Sequence, residues 1–205
     1  MSEHTSEDMS KAAAESVRQG DDVRKRVHDL TLEALSSRRF GREAFREVAR
    51  QMTQGIARGA EGSRLGVRHA LAEGLRGLDE ALSTTVQAGH EALRQMAASG
   101  RAEDGELRQA LAGLRKIEED FVAALEEAAR SAGERVAPEL RSLVRQSAHA
   151  GTETGRRSAK LMAEFTLGGL ELAGEFGARF AQIAGGMLAG MADALDKRDR
   201  GKDRH

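Results

Sequence analysis

Cysteine, tryptophan and tyrosine are absent from the chain, and proline occurs once, at Pro138. Without cysteine there is no disulfide, no thiolate nucleophile and no cysteine-ligated zinc, a composition that fits a reducing compartment. Six phenylalanines supply all the aromatic character of 205 residues. The usual large contributors to core area are therefore scarce, and burial must come from Ala, Leu, Val and Met spread along helices. With one proline and no alternating β-branched runs, little interrupts helix and nothing reads as strand.

An excess of one charge is missing too, because 32 Lys plus Arg oppose 33 Asp plus Glu. A balanced chain gains little counterion-release energy from a phosphate backbone, so nucleic acid is not an expected partner. The most apolar segment still contains Glu171, Glu175 and Arg179, so no transmembrane span is expected. The opening residues, MSEHTSEDMSK, lack the apolar stretch of a secretory signal. These absences predict a cytoplasmic protein, free or associated with a granule or membrane surface.

What is present is helix. A polar tail over 1–6, expected to be disordered, leads into a helix over 7–40, with Met9, Ala13, Val17, Val23, Val27, Leu30 and Leu35 near one face and Gly20 as its weak point. The patch SSRRFGRE reads as a joint. From Ala44 an eleven-residue repeat sets in: AFREVARQMTQ, GIARGAEGSRL, GVRHALAEGLR, GLDEALSTTVQ, AGHEALRQMAA. Its first column is small throughout: Ala44, Gly55, Gly66, Gly77 and Ala88. Its sixth is apolar: Ala49, Ala60, Leu71, Leu82 and Leu93.

Eleven residues make three turns at about 3.67 per turn, which keeps one stripe on one side of a nearly straight rod. The spacing predicts one long hendecad-repeat helix over 41–98; its stretch from Ala44 onward would be about 80 Å long at about 1.5 Å per residue. Between residues 55 and 78 that helix carries Gly55, Gly59, Gly62, Gly66, Gly74 and Gly77. Together they cost roughly 5 kcal/mol of helix propensity. A partner surface, either another helix or something lipid-like, is expected to offset this. Gly59, Gly62 and Gly74 have no place in the repeat.

A turn is expected over 99–106, a helix over 107–150 kinked near Pro138 or restarted there as a corner, and a polar joint over 151–164. The last element, 165–195, carries the sharpest pattern, before a charged tail over 196–205. Ala173, Gly177, Ala181, Gly185 and Ala189 recur every four residues as a small-residue ridge, of the glycine-zipper kind that permits tight helix contact. Beside it run Leu172, Phe176, Phe180, Ile183, Met187 and Met191, an apolar stripe suited to a bundle core or to an apolar surface.

Signals for chemistry are weak. No two of the six histidines stand at metal-ligand helix spacing, and each reads as a surface residue. GTETGRRSAK, from Gly151, lacks the Lys-Ser/Thr of a phosphate loop and follows no strand. Glu118, Glu119 and Asp120 read as a solvated helix face, and no nucleophile has an activating partner. No catalytic, cofactor-binding or metal residues are expected, and the protein is expected not to be an enzyme.

Alanine-rich helical sequence, the lack of Cys and Trp, the single Pro and a repeated AxxGxxA-like texture resemble phasins, the small proteins that coat polyester storage granules in bacteria. The likeness covers most of the chain in texture, with no motif matched residue by residue, so it implies no site. GTETGRR and LELAGEFGARFAQIAGGMLAGMADAL are similar to an uncharacterised family of bacterial helical proteins, which implies shape without an activity. The eleven-residue register is similar to that of apolipoprotein-type helices.

The expected fold is all-α, an elongated antiparallel bundle or coiled coil of three to five helices, self-associating as a homo-oligomer. The expected function is a phasin-like coat or adaptor binding a polyester granule or lipid surface through amphipathic helices. The alternative is a structural coiled-coil protein that assembles into a stable helical oligomer.

Overall fold

The structure, a computed structural model, describes residues 2–36, 42–98 and 104–167. Seven helices are formed there: α1 (Ser2–Gln19), α2 (Val23–Ser36), α3 (Arg42–Glu61), α4 (Val67–Ala98), α5 (Asp104–Ser131), α6 (Ala137–Ala150) and α7 (Glu153–Leu167). The protein is all-α, as expected, but its helices form a globular bundle in place of an elongated rod.

The breaks between helices have local causes. α1 stops at Gly20, whose φ of +83° takes the chain into the left-handed region, a common helix stop. The expected single helix over 41–98 ends at Glu61 and restarts at Val67, with Gly66 at φ +80° in the turn. The rod is thus folded back on itself at the stretch where its glycines are densest. Between α5 and α6 the chain turns through Gly133, whose carbonyl accepts from the Val136 and Ala137 amides at 3.0 and 2.9 Å. Pro138 falls in the first turn of α6, where its missing N–H costs nothing, so it marks a corner and does not kink a helix over 107–150.

Contacts across the bundle fix the topology. On α3, Gly55 and Gly59 sit against Ser10, Ala13, Ala14 and Val17 of α1, with added Cβ atoms falling 2.7 and 2.8 Å from the Ala13 and Val17 Cβ atoms. Numbers rise together along both helices, so α1 and α3 run parallel. Arg42 reaches Asp120 through Nε at 2.7 Å and a second nitrogen at 2.9 Å, and Gly133 abuts Glu61. α3 and α5 therefore run parallel too. In the other layer Gly77 of α4 lies against the backbone of Arg24 on α2, and α7 packs along α4.

The result is three helical hairpins, α1–α2, α3–α4 and α5 with α6–α7, stacked in the same orientation. α1, α3 and α5 form one layer; α2, α4 and the α6–α7 arm form the other. The hairpin turns gather at one end, where Gly20 meets Leu65 and Gly62 meets Arg18. Ser63 Oγ donates to the Val17 carbonyl at 3.0 Å and ties the first two turns together.

One apolar cluster runs through all three hairpins and includes Val17, Val27, Met52, Ile56, Leu71, Leu78, Phe121, Leu125 and Leu140. Leu65, in the turn between α3 and α4, is exposed at 40%, and among the described residues no helix is long and apolar enough to cross a membrane.

Several sequence expectations change accordingly. The small-residue column is no single stripe: Gly55 and Gly77 are buried at helix crossings, Ala44 is half-buried, and Gly66 and Ala88 are exposed. Gly59 and Gly74, which had no place in the repeat, are buried; a Cβ on Gly74 would fall 2.8 Å from Ile56 Cγ2. Residues 2–6, expected as a disordered tail, begin α1, and the helix expected over 7–40 is two helices. The joint expected over 151–164 shrinks to Gly151 and Thr152, followed by α7. Of the turn expected over 99–106, α5 takes up residues 104–106. The stripe Leu172, Phe176, Phe180, Ile183, Met187 and Met191, the ridge Ala173, Gly177, Ala181, Gly185 and Ala189, and the charged tail lie outside the described residues.

Candidate functional site: a carboxylate clasp at the start of α7

A helix begins with amides that have no partner within the helix. At α7 they are met in an unusual way. Gly151, at φ +73°, ends α6, and Thr152 caps α7 by accepting from the Gly155 amide through Oγ1 at 2.7 Å, as N-cap threonines do. The other two amides turn to α4. Glu153 N donates to Asp79 Oδ2 at 2.8 Å and Thr154 N to Asp79 Oδ1 at 3.2 Å. Thr154 Oγ1 lies 2.8 Å from Asp79 Oδ1 and 3.1 Å from the Asp79 carbonyl oxygen, so its proton is shared between them.

The third participant comes from α5. Thr152 Oγ1 donates to Glu118 Oε2, and Gly155 lies so close that a Cβ there would fall 2.6 Å from the Glu118 carboxylate. Glycine at 155 is thus what lets α7 approach α5. Asp79 and Glu118 are almost wholly buried, at 1% and 5% exposure.

Both carboxyls titrate abnormally. Burial pushes Asp79 up from 3.8 to about 6 against the opposing hydrogen bonds from Thr154 and Glu153, and the Glu153 charge raises it further. Burial likewise pushes Glu118 up from 4.5 to about 7, with the charge of Asp79 adding to the rise and the hydrogen bond from Thr152 opposing it. The two acids are electrostatically coupled, and the pair releases its protons in steps that belong to both.

Perturbed carboxyls often mark catalytic sites. Here both Asp79 oxygens accept amide protons, Glu118 accepts from Thr152, and α7 closes over them. The arrangement suits holding a helix more than transforming a substrate. Beside it lies a cavity of about 300 Å³ lined by Arg76, Asp79, Glu80, Ser83, Thr84, Glu153 and Arg157. Its charges are mutually committed: Arg76 faces Glu80 at 3.8 Å, and Arg157 faces Glu153 at 3.5 Å. A second cavity of about 520 Å³, where the first two hairpins meet, is lined by residues that include Arg24, Lys25, His28, His69 and Glu73. Among the described residues no group of three potential ligands is placed to hold a metal.

Sequence reading took Glu118 for a solvated residue and did not single out Asp79. Both stand in register with apolar neighbours: Glu118 follows Leu114 by four and precedes Phe121 by three, and Asp79 stands likewise between Leu75 and Leu82. That spacing on a core-facing stripe was the available signal. His90, taken as a surface histidine, is buried at 6% exposure.

Residues 1–197 match the model of a family of unknown function, DUF6781. No curated protein and no solved structure matches the chain, so the likeness to phasins finds no support among them.

Proposed function

The chain belongs to that family of unknown function, and since membership brings no activity with it, we propose on physical grounds that the protein is a non-enzymatic adaptor. Its hairpin stack serves as a body, and the amphipathic segment over 165–195 binds an apolar surface, such as a polyester granule or a lipid layer. The supporting observation is how the apolar residues divide. Apolar residues of α1 to α6, among them Val17, Val27, Met52, Leu71, Phe121 and Leu140, are gathered into one internal cluster. The stripe from Leu172 to Met191 is what the sequence offers to an apolar surface.

The hairpins also alter the reason for expecting a surface. Gly55, Gly59 and Gly77 find their close contacts on α1 and α2 of the same chain, so these glycines are no longer a reason to expect an outside surface against residues 44–98. That observation favours a second reading, in which the ridge of Ala173, Gly177, Ala181, Gly185 and Ala189 joins copies of the chain into a homo-oligomer.

One comparison separates the two. The full chain and a Phe176→Ser, Phe180→Ser, Met187→Ser variant are floated with phospholipid vesicles and with polyester beads, and their sizes are measured by light scattering. The adaptor reading expects the wild type to float and the variant to lose at least tenfold in bound fraction. A wild type that stays in solution as an oligomer, with a variant that falls to monomer, refutes it in favour of self-assembly.

A further inference from the structure

We infer that the α6–α7 junction is a pH-operated clasp, in which loss of the last proton held between Asp79 and Glu118 loosens α7 from α4 and α5 and lets it swing about Gly151. The hydrogen bonds fastening the first turn of α7 run to these two carboxylates: the Glu153 and Thr154 amides and the Thr154 hydroxyl to Asp79, and the Thr152 hydroxyl to Glu118. Gly151, in the left-handed region, already separates α7 from α6, so α7 turns without unwinding its neighbour.

The charges around the pair determine the direction. With one proton between them, a single negative charge faces the positive end of α7, a favourable arrangement. With none, two negative charges share a buried junction, where their repulsion is less screened than at the surface. Four arginines of the packed helices are already engaged. From α2, Arg24 is held by Glu80; on α4, Arg76 faces Glu80 as well. From α7, Arg157 pairs with Glu153 and Gln87, and from α3, Arg42 is taken by Asp120. Glu153 adds a further negative charge beside Asp79. Burial and these neighbours carry the two carboxyls to about 6 and about 7, which sets the change across neutral pH.

A second feature favours opening. Ser83 on α4 and Ser158 on α7 are buried with hydroxyls that have no hydrogen-bond partner. Docking strands both, and water entering a loosened interface would satisfy them. The chain continues from α7 into the ridged segment, so the clasp also sets how that segment is presented. This consequence rests on the adaptor reading, whereas the clasp itself does not.

Hydrogen–deuterium exchange of the full chain at pH 6 and pH 8, corrected for intrinsic rates, tests it without any surface present. Protection of amides 153–160, taken relative to those of α3, is expected to fall at least tenfold at pH 8. Glu118→Gln, which keeps an acceptor for Thr152 and cannot ionise, is expected to hold that ratio constant. An unchanged ratio in the wild type overturns the clasp, as does an equal fall in Glu118→Gln. The wild-type result stands even if the variant does not fold.

Discussion

Gly59 and Gly113 look alike in the sequence, each a glycine inside an alanine-rich helix, yet they stand in opposite situations. A Cβ on Gly59 would collide with the backbone of Ala14 and fall 2.8 Å from Val17 Cβ, whereas one on Gly113 would meet nothing within 4 Å. Gly59→Leu should therefore force α1 and α3 apart at a cost of about 1–3 kcal/mol or more. Gly113→Ala should stabilise by up to about 1 kcal/mol through propensity alone. Urea midpoints of the two variants against wild type check the pair; equal effects would mean that α1 and α3 do not meet as described. Sequence alone showed that the glycines cost helix propensity. It did not show which of them a neighbour occupies, because that depends on how α1 lies on α3. Asp79 and Glu118 carry the same lesson: their spacing placed them on core-facing stripes, but burial came with the Thr152 and Thr154 partners, which lie more than 30 residues away along the chain.

Among the elements, helix against strand was plain from the absence of β-branched alternation, and the weak point at Gly20 became a true break. The eleven-residue period misled at Gly66, because apolar spacing continues through the turn and periodicity does not register a positive φ. Pro138 was legible as a disturbance; its place in a first turn, a corner, depends on Gly133. The segment that forms α7 reads as a joint because it is polar and carries Gly151 and Gly155, whereas Thr152 in fact caps a helix there. The energetic consequence of that cap is a pH dependence. Asp79 rises from 3.8 to about 6 and Glu118 from 4.5 to about 7 on folding. Between about pH 4 and about pH 7 the folded state thus holds protons that the unfolded chain has released, and stability from this pair falls as pH rises. The contribution is fully present below the unfolded values, is lost through the folded ones, and amounts on the order of a few kcal/mol. The melting temperature of the wild type minus that of Glu118→Gln is expected to drop from pH 5 to pH 8; a rise contradicts the assignment.

Across the whole molecule, the thin supply of aromatics is met by one cluster of mostly aliphatic side chains that runs through all three hairpins. Each hairpin lies on the next in the same orientation, and glycines at the crossings let backbones approach where bulky side chains would keep them apart. This replaces the picture of a feeble rod awaiting a partner with one of a chain that supplies its own partners at least as far as α7. The chain has no cysteine, so two introduced cysteines carry spin labels without interference. Labels on Arg46 of α3 and Ala88 of α4, both exposed, give the most direct measurement. A hairpin turning at Gly66 brings these positions alongside, with a pulsed electron paramagnetic resonance distance below about 30 Å, since packed helices lie about 8–10 Å apart before label length is added. A continuous helix would hold them about 60 Å apart at about 1.5 Å per residue, and a distance near that value would contradict the stacked-hairpin fold.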